Sequence, residues 1–169
     1  MSDTKVFRIW IKATPEKIWE AITDPAWNGR YGYGAPQSYE LHKGGRYEAL
    51  ASQEMKDYAA ANGFPLAEVV VDGEVLEAEP PRRLVQTWRM LMDPTTAAEP
   101  FTTLTYDIED SGGPGVCRLT ITHELTNAPA HAAMVQGNPD PGADGGGGWA
   151  WVLSDLKSLL ETGKILAAA

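Results

Sequence analysis

The chain has 169 residues, of which 43% are apolar, and this content can form a hydrophobic core without disulfides or bound metal. Lys and Arg total 14 against 23 Asp and Glu, so the formal charge is −9 at pH 7. The acidic balance argues against nucleic acid and anionic membrane surfaces as partners, because both are bound through clustered basic side chains.

A single cysteine, Cys117, rules out a disulfide within the chain, and a reducing compartment fits that composition. Its place in a strand-like run predicts a small buried hydrophobe rather than a nucleophile. No stretch approaches the roughly 20 apolar residues of a membrane span, and the N-terminus has no long apolar core. We therefore expect a cytoplasmic location. No repeat or linker divides the sequence, which predicts one domain over residues 1–169.

The first two elements follow directly from residue order. Residues 5–11 alternate between two faces, which predicts a strand with one side buried. Thr14 can cap the helix that follows, while Pro15 and Glu16 suit its first turn. The pair Asp24-Pro25 is predicted to end this helix.

Irregular and β-rich segments come next. Glycines, tyrosines and prolines make residues 26–37 irregular. Strands are predicted at residues 38–41 and 46–51, joined by the Gly44-Gly45 turn. Residues 54–62 are rich in Ala and charge and end at an Asn-Gly pair, which predicts a short inserted helix with a left-handed cap.

The remaining strands precede the clearest helix of the chain. Four β segments are predicted at residues 69–78, 84–92, 102–109 and 116–125, and their alternation indicates an antiparallel sheet covered on one face. Residues 127–148 are rich in Gly and Pro and are predicted to form a mobile loop or a lid. Residues 149–160 then repeat apolar side chains at helical spacing, and Gly163 ends the helix.

This order of elements predicts an α+β fold in which a curved antiparallel sheet of six or seven strands wraps around the C-terminal helix. A helix about 10 Å wide cannot fill the whole concave face of such a sheet. We therefore expect a cavity of hundreds of Å³ between the sheet and the helix, as is typical of ligand sites.

Five motifs and the opening of the last helix resemble, in the same order, those of a known group of proteins. They are residues 11–25 (IKATPEKIWEAITDP), 43–47 (KGGRY), 72–77 (DGEVLE), 80–88 (PPRRLVQTW), 117–124 (CRLTITHE) and 148–149 (GW). The chain resembles the START-like superfamily and, more narrowly, homologues of the C-terminal domain of the activator of the 90-kDa heat-shock-protein ATPase.

The resemblance implies the helix-grip fold and a cavity that in relatives takes apolar or aromatic small molecules and lipids. It implies no shared reaction, because most motif positions are turn glycines, a helix cap and core tryptophans. Residues 27–37 and 54–66 depart from the family pattern, and these two segments bear on the shape and entrance of the cavity.

Eight residues are the candidate lining of the cavity. They are Gln86, Trp88, Met90, Tyr106, Ile121, His123, Trp149 and Leu153. Gln86 needs a hydrogen-bond partner inside an apolar wall, and that partner is either a ligand oxygen or a neighbouring group. His123 is either a donor, acid or base in the site or a histidine satisfied at the rim.

Other aromatic residues are assigned to the core or to the mouth of the cavity. Trp10, Trp19, Trp88 and Trp149 are predicted core residues. Trp151 lies off the apolar stripe of its helix and either covers the preceding loop or is exposed for a partner. Tyr31, Tyr33 and Tyr39 are candidate mouth residues, with ordinary turn packing as the alternative, and Tyr47 is a candidate wall residue.

The three histidines show no metal-ligand spacing, and no nucleotide or phosphate motif is visible, so we expect neither a metal nor another cofactor. Our leading hypothesis is reversible binding of a small hydrophobic or aromatic molecule. One alternative is a cyclase-type or hydrolase-type enzyme that uses His123 or a tyrosine as acid or base. Another is a protein-interaction module related to chaperone regulation. The chain is expected to be a monomer or a homodimer.

Overall fold

The structure is a computed structural model that describes residues 3–140 and 147–166. The strands are β1 (Thr4–Ile11), β2 (Gln37–Tyr39), β3 (Arg46–Leu50), β4 (Val69–Glu79), β5 (Arg83–Met90), β6 (Thr102–Asp110) and β7 (Cys117–Glu124). The helices are α1 (Pro15–Thr23), α2 (Pro25–Asn28), α3 (Gln53–Asn62), α4 (Pro94–Ala97), α5 (Pro129–Gln136) and α6 (Gly148–Thr162). Within the described ranges no helix is long and apolar enough to cross a membrane.

All seven strands form one sheet in the order β1-β7-β6-β5-β4-β3-β2. Every neighbouring pair is antiparallel. Burial alternates along β5, β6 and β7, so one face is dry and packs against α6. The predicted α+β helix-grip fold is confirmed.

Local chemistry explains why the early helices begin and end where they do. The Thr14 hydroxyl accepts a hydrogen bond from the Lys17 amide at 3.2 Å, and Pro15 occupies the first turn of α1. Asp24 ends α1 and caps the short α2, which the sequence did not predict. The inserted helix is confirmed as α3, which ends at Gly63 with a left-handed φ of 69°.

Helix α6 covers one side of the concave face and protects the edge of the sheet. Leu153, Leu156 and Leu159 are buried against the strands. The Lys157 ammonium donates to the Trp10 carbonyl oxygen at 2.6 Å, and the Lys12 amide donates to Glu161 at 2.9 Å. These bonds use backbone groups at the end of β1, the edge strand, that would otherwise be free for edge-to-edge association.

Two predictions about this framework are wrong. Trp10 is not in the core: it lies on the outer face of β1 and is 46% exposed, because strand alternation places Ile9 and Ile11 inward instead. Residues 127–148 are not simply a loop, since residues 129–136 form α5. Residues 141–146 of that predicted segment lie outside the described residues.

Helix α5 was missed because its own sequence supplies no cap. Ala128 precedes it and makes no side-chain capping bond. The carboxylate of Glu99, some 30 positions earlier, accepts from the amides of Ala130 at 2.8 Å and His131 at 3.0 Å. The side-chain cap therefore comes from tertiary structure, while the local signals, Pro129 in the first turn and Gly137 after the end, were interpreted as parts of a loop.

Gly73, in the middle of β4, is a position where the fold tolerates no side chain. A Cβ built there would lie 1.9 Å from the Thr87 carbonyl oxygen on β5. We expect Gly73→Ala to lower the free energy of unfolding by about 3 kcal/mol or more, because the two strands would have to separate. Urea denaturation measures this change.

The control for this prediction is Gly63→Ala, where no atom lies within 4 Å of an added Cβ but φ is 69°. Gly63→Ala should lower the free energy of unfolding by about 1–2 kcal/mol, which is the cost of a left-handed backbone at alanine. Equal losses for the two variants would contradict the close approach of β4 and β5.

Candidate functional site

A cavity of about 370 Å³ lies between the sheet and the two C-terminal helices. The strands β3, β4 and β5 form its floor, while α5 and the first turns of α6 cover it. Its lining includes Ala49, Val70, Val71, Trp88, Met90, Met134, Val135, Trp149 and Val152. Ligand sites typically have volumes of about 300–1,000 Å³, so the cavity is large enough for a small molecule.

The irregular segment 31–35 forms the side wall and the mouth. Tyr31 and Tyr33 both line the cavity, but Tyr31 is buried whereas Tyr33 is 60% exposed. Met92, also in the lining, is 46% exposed. The cavity therefore opens to solvent beside Tyr33 and Met92.

The lining residues in the described parts of the chain include no Asp, Glu, Lys, Arg or His. Four methionines and five Tyr and Trp residues contribute to it instead. Methionine adapts its shape and makes favourable sulfur–aromatic contacts, and aromatic rings stack or pack edge to face. The chemistry of the surface suits an uncharged molecule with aromatic character.

Three polar side chains of the lining are already bonded within the protein. The Asn28 side-chain amide donates to the carbonyl oxygens of Ile22 at 3.0 Å and Gln37 at 2.9 Å, and its oxygen accepts from the Gln37 amide at 2.8 Å. The hydroxyl of Tyr31 donates to the Ala21 carbonyl oxygen, and that of Tyr47 to the Gln37 side chain. The donors of these three side chains are therefore already used within the protein.

Trp88, which lines the cavity, is the centre of an aromatic cluster. Its ring lies edge to face with His123 at 5.4 Å and with His131 at 5.7 Å, and 6.2 Å from the Trp149 ring. The same β5 residue therefore contacts α5, α6 and β7. This packing fixes the orientation of the two indoles that face the cavity.

His123 is fully buried, and both of its ring nitrogens are engaged. The Trp149 indole N–H donates to Nδ1 at 3.0 Å, so Nε2 carries the hydrogen and donates to the Thr102 hydroxyl at 2.7 Å. That hydroxyl donates in turn to the Trp88 carbonyl oxygen. Burial lowers the pKa of His123 to about 3, and His131 contributes to the shift.

Glu99 and His131 hold α5 over the cavity. His131 Nδ1 donates to Glu99 at 2.7 Å, and its Nε2 accepts the Met90 amide hydrogen at 3.0 Å. Burial opposes ionisation of Glu99, but the amides of Ala130 and His131 and the His131 ring lower its pKa below the usual value. One carboxylate thus joins α5, which carries Met134 and Val135, to the end of β5.

Asp155 connects α6 to the side wall of the cavity. This buried carboxylate accepts from the Gly32 amide at 2.8 Å and from the Leu166 amide at 2.8 Å. Gly148, at the start of α6, permits the close approach of α5, since a Cβ there would lie 2.7 Å from the Val135 carbonyl oxygen. Asp155 therefore fixes α6 against the segment at the mouth, and Gly148 allows α5 and α6 to pack closely.

The structure brings three of the eight predicted residues to the cavity, namely Trp88, Met90 and Trp149. Gln86, Tyr106, Ile121, His123 and Leu153 are buried but are not among the lining residues. Helix α6 packs against β1, so its side chains and those of β6 and β7 fill that half of the concave face. The open space is left over β3–β5, which the sequence could not indicate.

The buried partner expected for Gln86 is Tyr39, whose hydroxyl donates to the Gln86 side-chain oxygen at 2.7 Å. Tyr39 therefore packs behind the wall, with its ring 4.7 Å from that of Tyr47, which does line the cavity. Trp151, for which two roles were predicted, is half-buried. Burial raises the pKa of the Cys117 thiol, which does not favour a nucleophile there.

Several lining residues were missed by sequence reasoning. Met134 and Val135 lie on α5, which was not predicted, and Ala49, Val70 and Val71 lie on predicted strands but were not assigned to a site. The neighbours Val70 and Val71 are both buried, beside a β-bulge, so alternation does not predict them. Alternation along β3 was the available signal for Ala49. It marks the dry face but not the part of that face left uncovered.

Comparison with known proteins identifies one protein family. The family model described as Activator of Hsp90 ATPase homolog 1-like protein matches residues 12–161. A search of the curated proteins gives no match.

Solved structures with a similar fold come from bacteria and a parasite. The solution structure of CalU16 from Micromonospora echinospora is 19% identical, with a TM-score of 0.62 over 98% of this chain and 69% of that chain. In the crystal structure of CalU16 the match spans 60% of that chain.

Two further structures match nearly end to end. The Aha1 dimer from Colwellia psychrerythraea is 20% identical, with a TM-score of 0.60 over 96% of this chain and 98% of that chain. PFC0360w, an HSP90 activator from Plasmodium falciparum, is 20% identical, with a TM-score of 0.54 over 96% and 90%. At these identities the likeness shows a shared fold.

Protonation of His123 is expected to destabilise the fold below neutral pH. Because its folded pKa lies below the unfolded value of about 6.5, the unfolded chain binds the proton more readily, and stability falls by up to about 1.4 kcal/mol per pH unit as the pH drops below about 6.5. The variant His123→Gln can keep both hydrogen bonds without titrating. Urea denaturation between pH 7 and pH 5 gives the free energy of unfolding at each pH. This free energy should change less steeply with pH in His123→Gln than in the wild type. The exposed control His42→Gln should keep the pH dependence of the wild type. Identical slopes for all three would contradict the assignment.

Loss of the Glu99 carboxylate is expected to loosen α5. Glu99→Gln places an NH₂ group against N–H donors, so we expect a loss of about 1–3 kcal/mol at pH 7. Since the folded pKa of Glu99 is depressed, its contribution is present above the unfolded value of about 4.3 and is lost as the pH falls through the folded pKa. The control is Glu68→Gln, a 66% exposed side chain paired with Lys56, which should change stability by less than about 0.5 kcal/mol. Denaturant titrations at pH 7 and pH 3.5 measure both effects, and a Glu99→Gln loss no larger than that of the control would contradict the role.

Proposed function

The chain belongs to the Activator of Hsp90 ATPase homolog 1-like family, and we propose that it reversibly binds a small, uncharged, aromatic or hydrophobic molecule between β3–β5 and the helices α5 and α6. One observation carries the proposal: a cavity of about 370 Å³ whose described lining holds no charged side chain. A cavity of this kind is the usual form of a small-molecule site.

The driving force would be burial of apolar surface, at about 25 cal/mol per Å² removed from water. A charged group inside this cavity would lose its hydration and find no counter-ion among the described lining residues. Asn28, Tyr31 and Tyr47 also favour an uncharged ligand. Their donors are already bonded within the protein, so they are not free to bind an anionic group.

Trp88, Met90 and Trp149 are the proposed contacts that remain from the sequence prediction. Gln86 and His123 support the wall from behind, through Tyr39 and through the Trp149 indole. Tyr106, Ile121 and Leu153 belong to the packed core. Because the two indoles are held by this packing, little side-chain entropy would be lost when a ring binds against them.

The enzymatic alternative gains no support from His123, which lies outside the described lining and uses both nitrogens within the core. A protein-interaction role is the second candidate, favoured by the family description and by the similar fold of PFC0360w, an HSP90 activator. It is tested by measuring the ATPase rate of a 90-kDa chaperone with and without this protein. A rise in the rate that persists when the cavity is blocked would favour this role.

Ligand charge should control binding to the cavity. We expect 2-ethylnaphthalene to change the fluorescence of Trp88 and Trp149, and 2-naphthoate, of similar size but anionic, to bind at least about tenfold more weakly. Titrations monitored by tryptophan fluorescence give both dissociation constants. Equal affinity for the two compounds would contradict an uncharged site.

A blocked cavity provides the control for that titration. Ala35 lines the cavity near its mouth, so Ala35→Trp should abolish binding of 2-ethylnaphthalene. Ala60 is exposed on α3 and is not a lining residue, so Ala60→Trp should leave the affinity unchanged. Loss of binding in both variants would point to general disruption of the protein instead.

A further inference from the structure

A second, wider concavity of about 520 Å³ adjoins the mouth of the cavity. Tyr33, Met55 and Met92 line both spaces, so the two are neighbours that meet at these side chains. Its outer part is formed by Tyr58, Phe64 and Leu66, on α3 and the segment that follows it. We call these three residues, together with Tyr33 and Met92, the outer groove.

The outer groove exposes an unusual amount of aromatic and apolar surface. Tyr58 is 62% exposed, Phe64 46%, Tyr33 60% and Met92 46%. The rings of Tyr58 and Phe64 lie edge to face, with centroids 5.7 Å apart. Large apolar side chains gathered in one exposed patch beside a pocket mark a binding surface more often than scattered ones do.

The groove is also held in a defined shape. The Ser52 hydroxyl caps α3 by accepting from the Met55 amide at 3.1 Å, and the left-handed Gly63 ends the helix. The Phe64 amide then donates to the Ala59 carbonyl oxygen at 3.2 Å. Tyr58 and Phe64 are therefore placed side by side by the backbone rather than by burial.

We propose that the outer groove is the second half of the ligand site and holds a neutral aromatic arm of the same molecule whose other end lies in the cavity. The inference rests on the proposed function. Because Tyr33, Met55 and Met92 border both spaces, one elongated molecule that passes beside these side chains would reach both halves. Glu54 is the charged side chain of the described groove lining, which disfavours an anionic arm.

A comparison of a short and a long neutral probe tests the inference. N-phenyl-1-naphthylamine is compact, whereas 1,6-diphenylhexatriene is a rod with a phenyl ring at each end. The double variant Tyr58→Ser/Phe64→Ser should weaken the long probe about tenfold or more, since two aromatic contacts are lost, and should change the affinity of the short probe less than twofold. Probe fluorescence gives both dissociation constants.

A matched control is Phe101→Ser, which removes a ring that is 45% exposed and absent from both linings. It should leave both probes unaffected. Since serine could disturb α3, the single variant Phe64→Leu, which keeps an apolar side chain but removes the ring, should also weaken the long probe selectively.

The possible outcomes separate the two proposals. If neither probe binds the wild type, the proposed function fails and the inference fails with it. If both probes bind the wild type, but the double variant changes neither affinity or lowers both affinities equally, the inference alone is overturned. If the double variant converts a dimer to a monomer in light scattering without changing the affinity for the long probe, the groove is an interface between copies and the inference is again overturned.

Discussion

The structure depends on a mismatch in width between one helix and the sheet that it covers. Helix α6 packs on the β1 side of the concave face, where Lys157 bonds to the Trp10 carbonyl oxygen and Leu153, Leu156 and Leu159 are buried. A helix is about 10 Å wide with its side chains, whereas adjacent strands are spaced about 4.8 Å apart, so one helix cannot cover seven curved strands. Helix α6 leaves β3–β5 largely uncovered, and the cavity lies over these strands, beneath α5.

Hydrogen bonds outside the cavity hold its walls in place. Glu99 supplies the N-terminal cap of α5 and bonds to His131, while Asp155 holds the segment that contains Gly32. Because these carboxylates direct their oxygens toward backbone amides, the cavity keeps an apolar surface. His123 is likewise bonded within the protein, since it is buried as a neutral ring between Trp149 and Thr102. Such groups favour one arrangement of the helices, since any other would leave a buried donor or charge unpaired.

The candidate site was predicted in part, and the successes and failures have a common cause. Trp88 and Met90 were placed on the dry face of β5 by alternation, and Trp149 on the apolar stripe of α6, and all three reach the cavity. Ile121 and Leu153 satisfy the same rules but are more fully buried, because they pack in the filled half. Periodicity identifies which face of an element is inward, but it contains no information about which inward residues lack a covering partner.

The sequence alone determined the strands, the N-cap of α1, the left-handed end of α3, the end of α6 and the α+β class, because each depends on residues a few positions apart. Only tertiary structure decided where the cavity lies, how α5 is capped, and that His123 and Gln86 are satisfied within the protein. Each of these features depends on groups brought together from distant positions, such as Glu99 with Ala130 or Tyr39 with Gln86. Local propensity cannot encode such pairs, since their energies exist only after the sheet and its helices have packed.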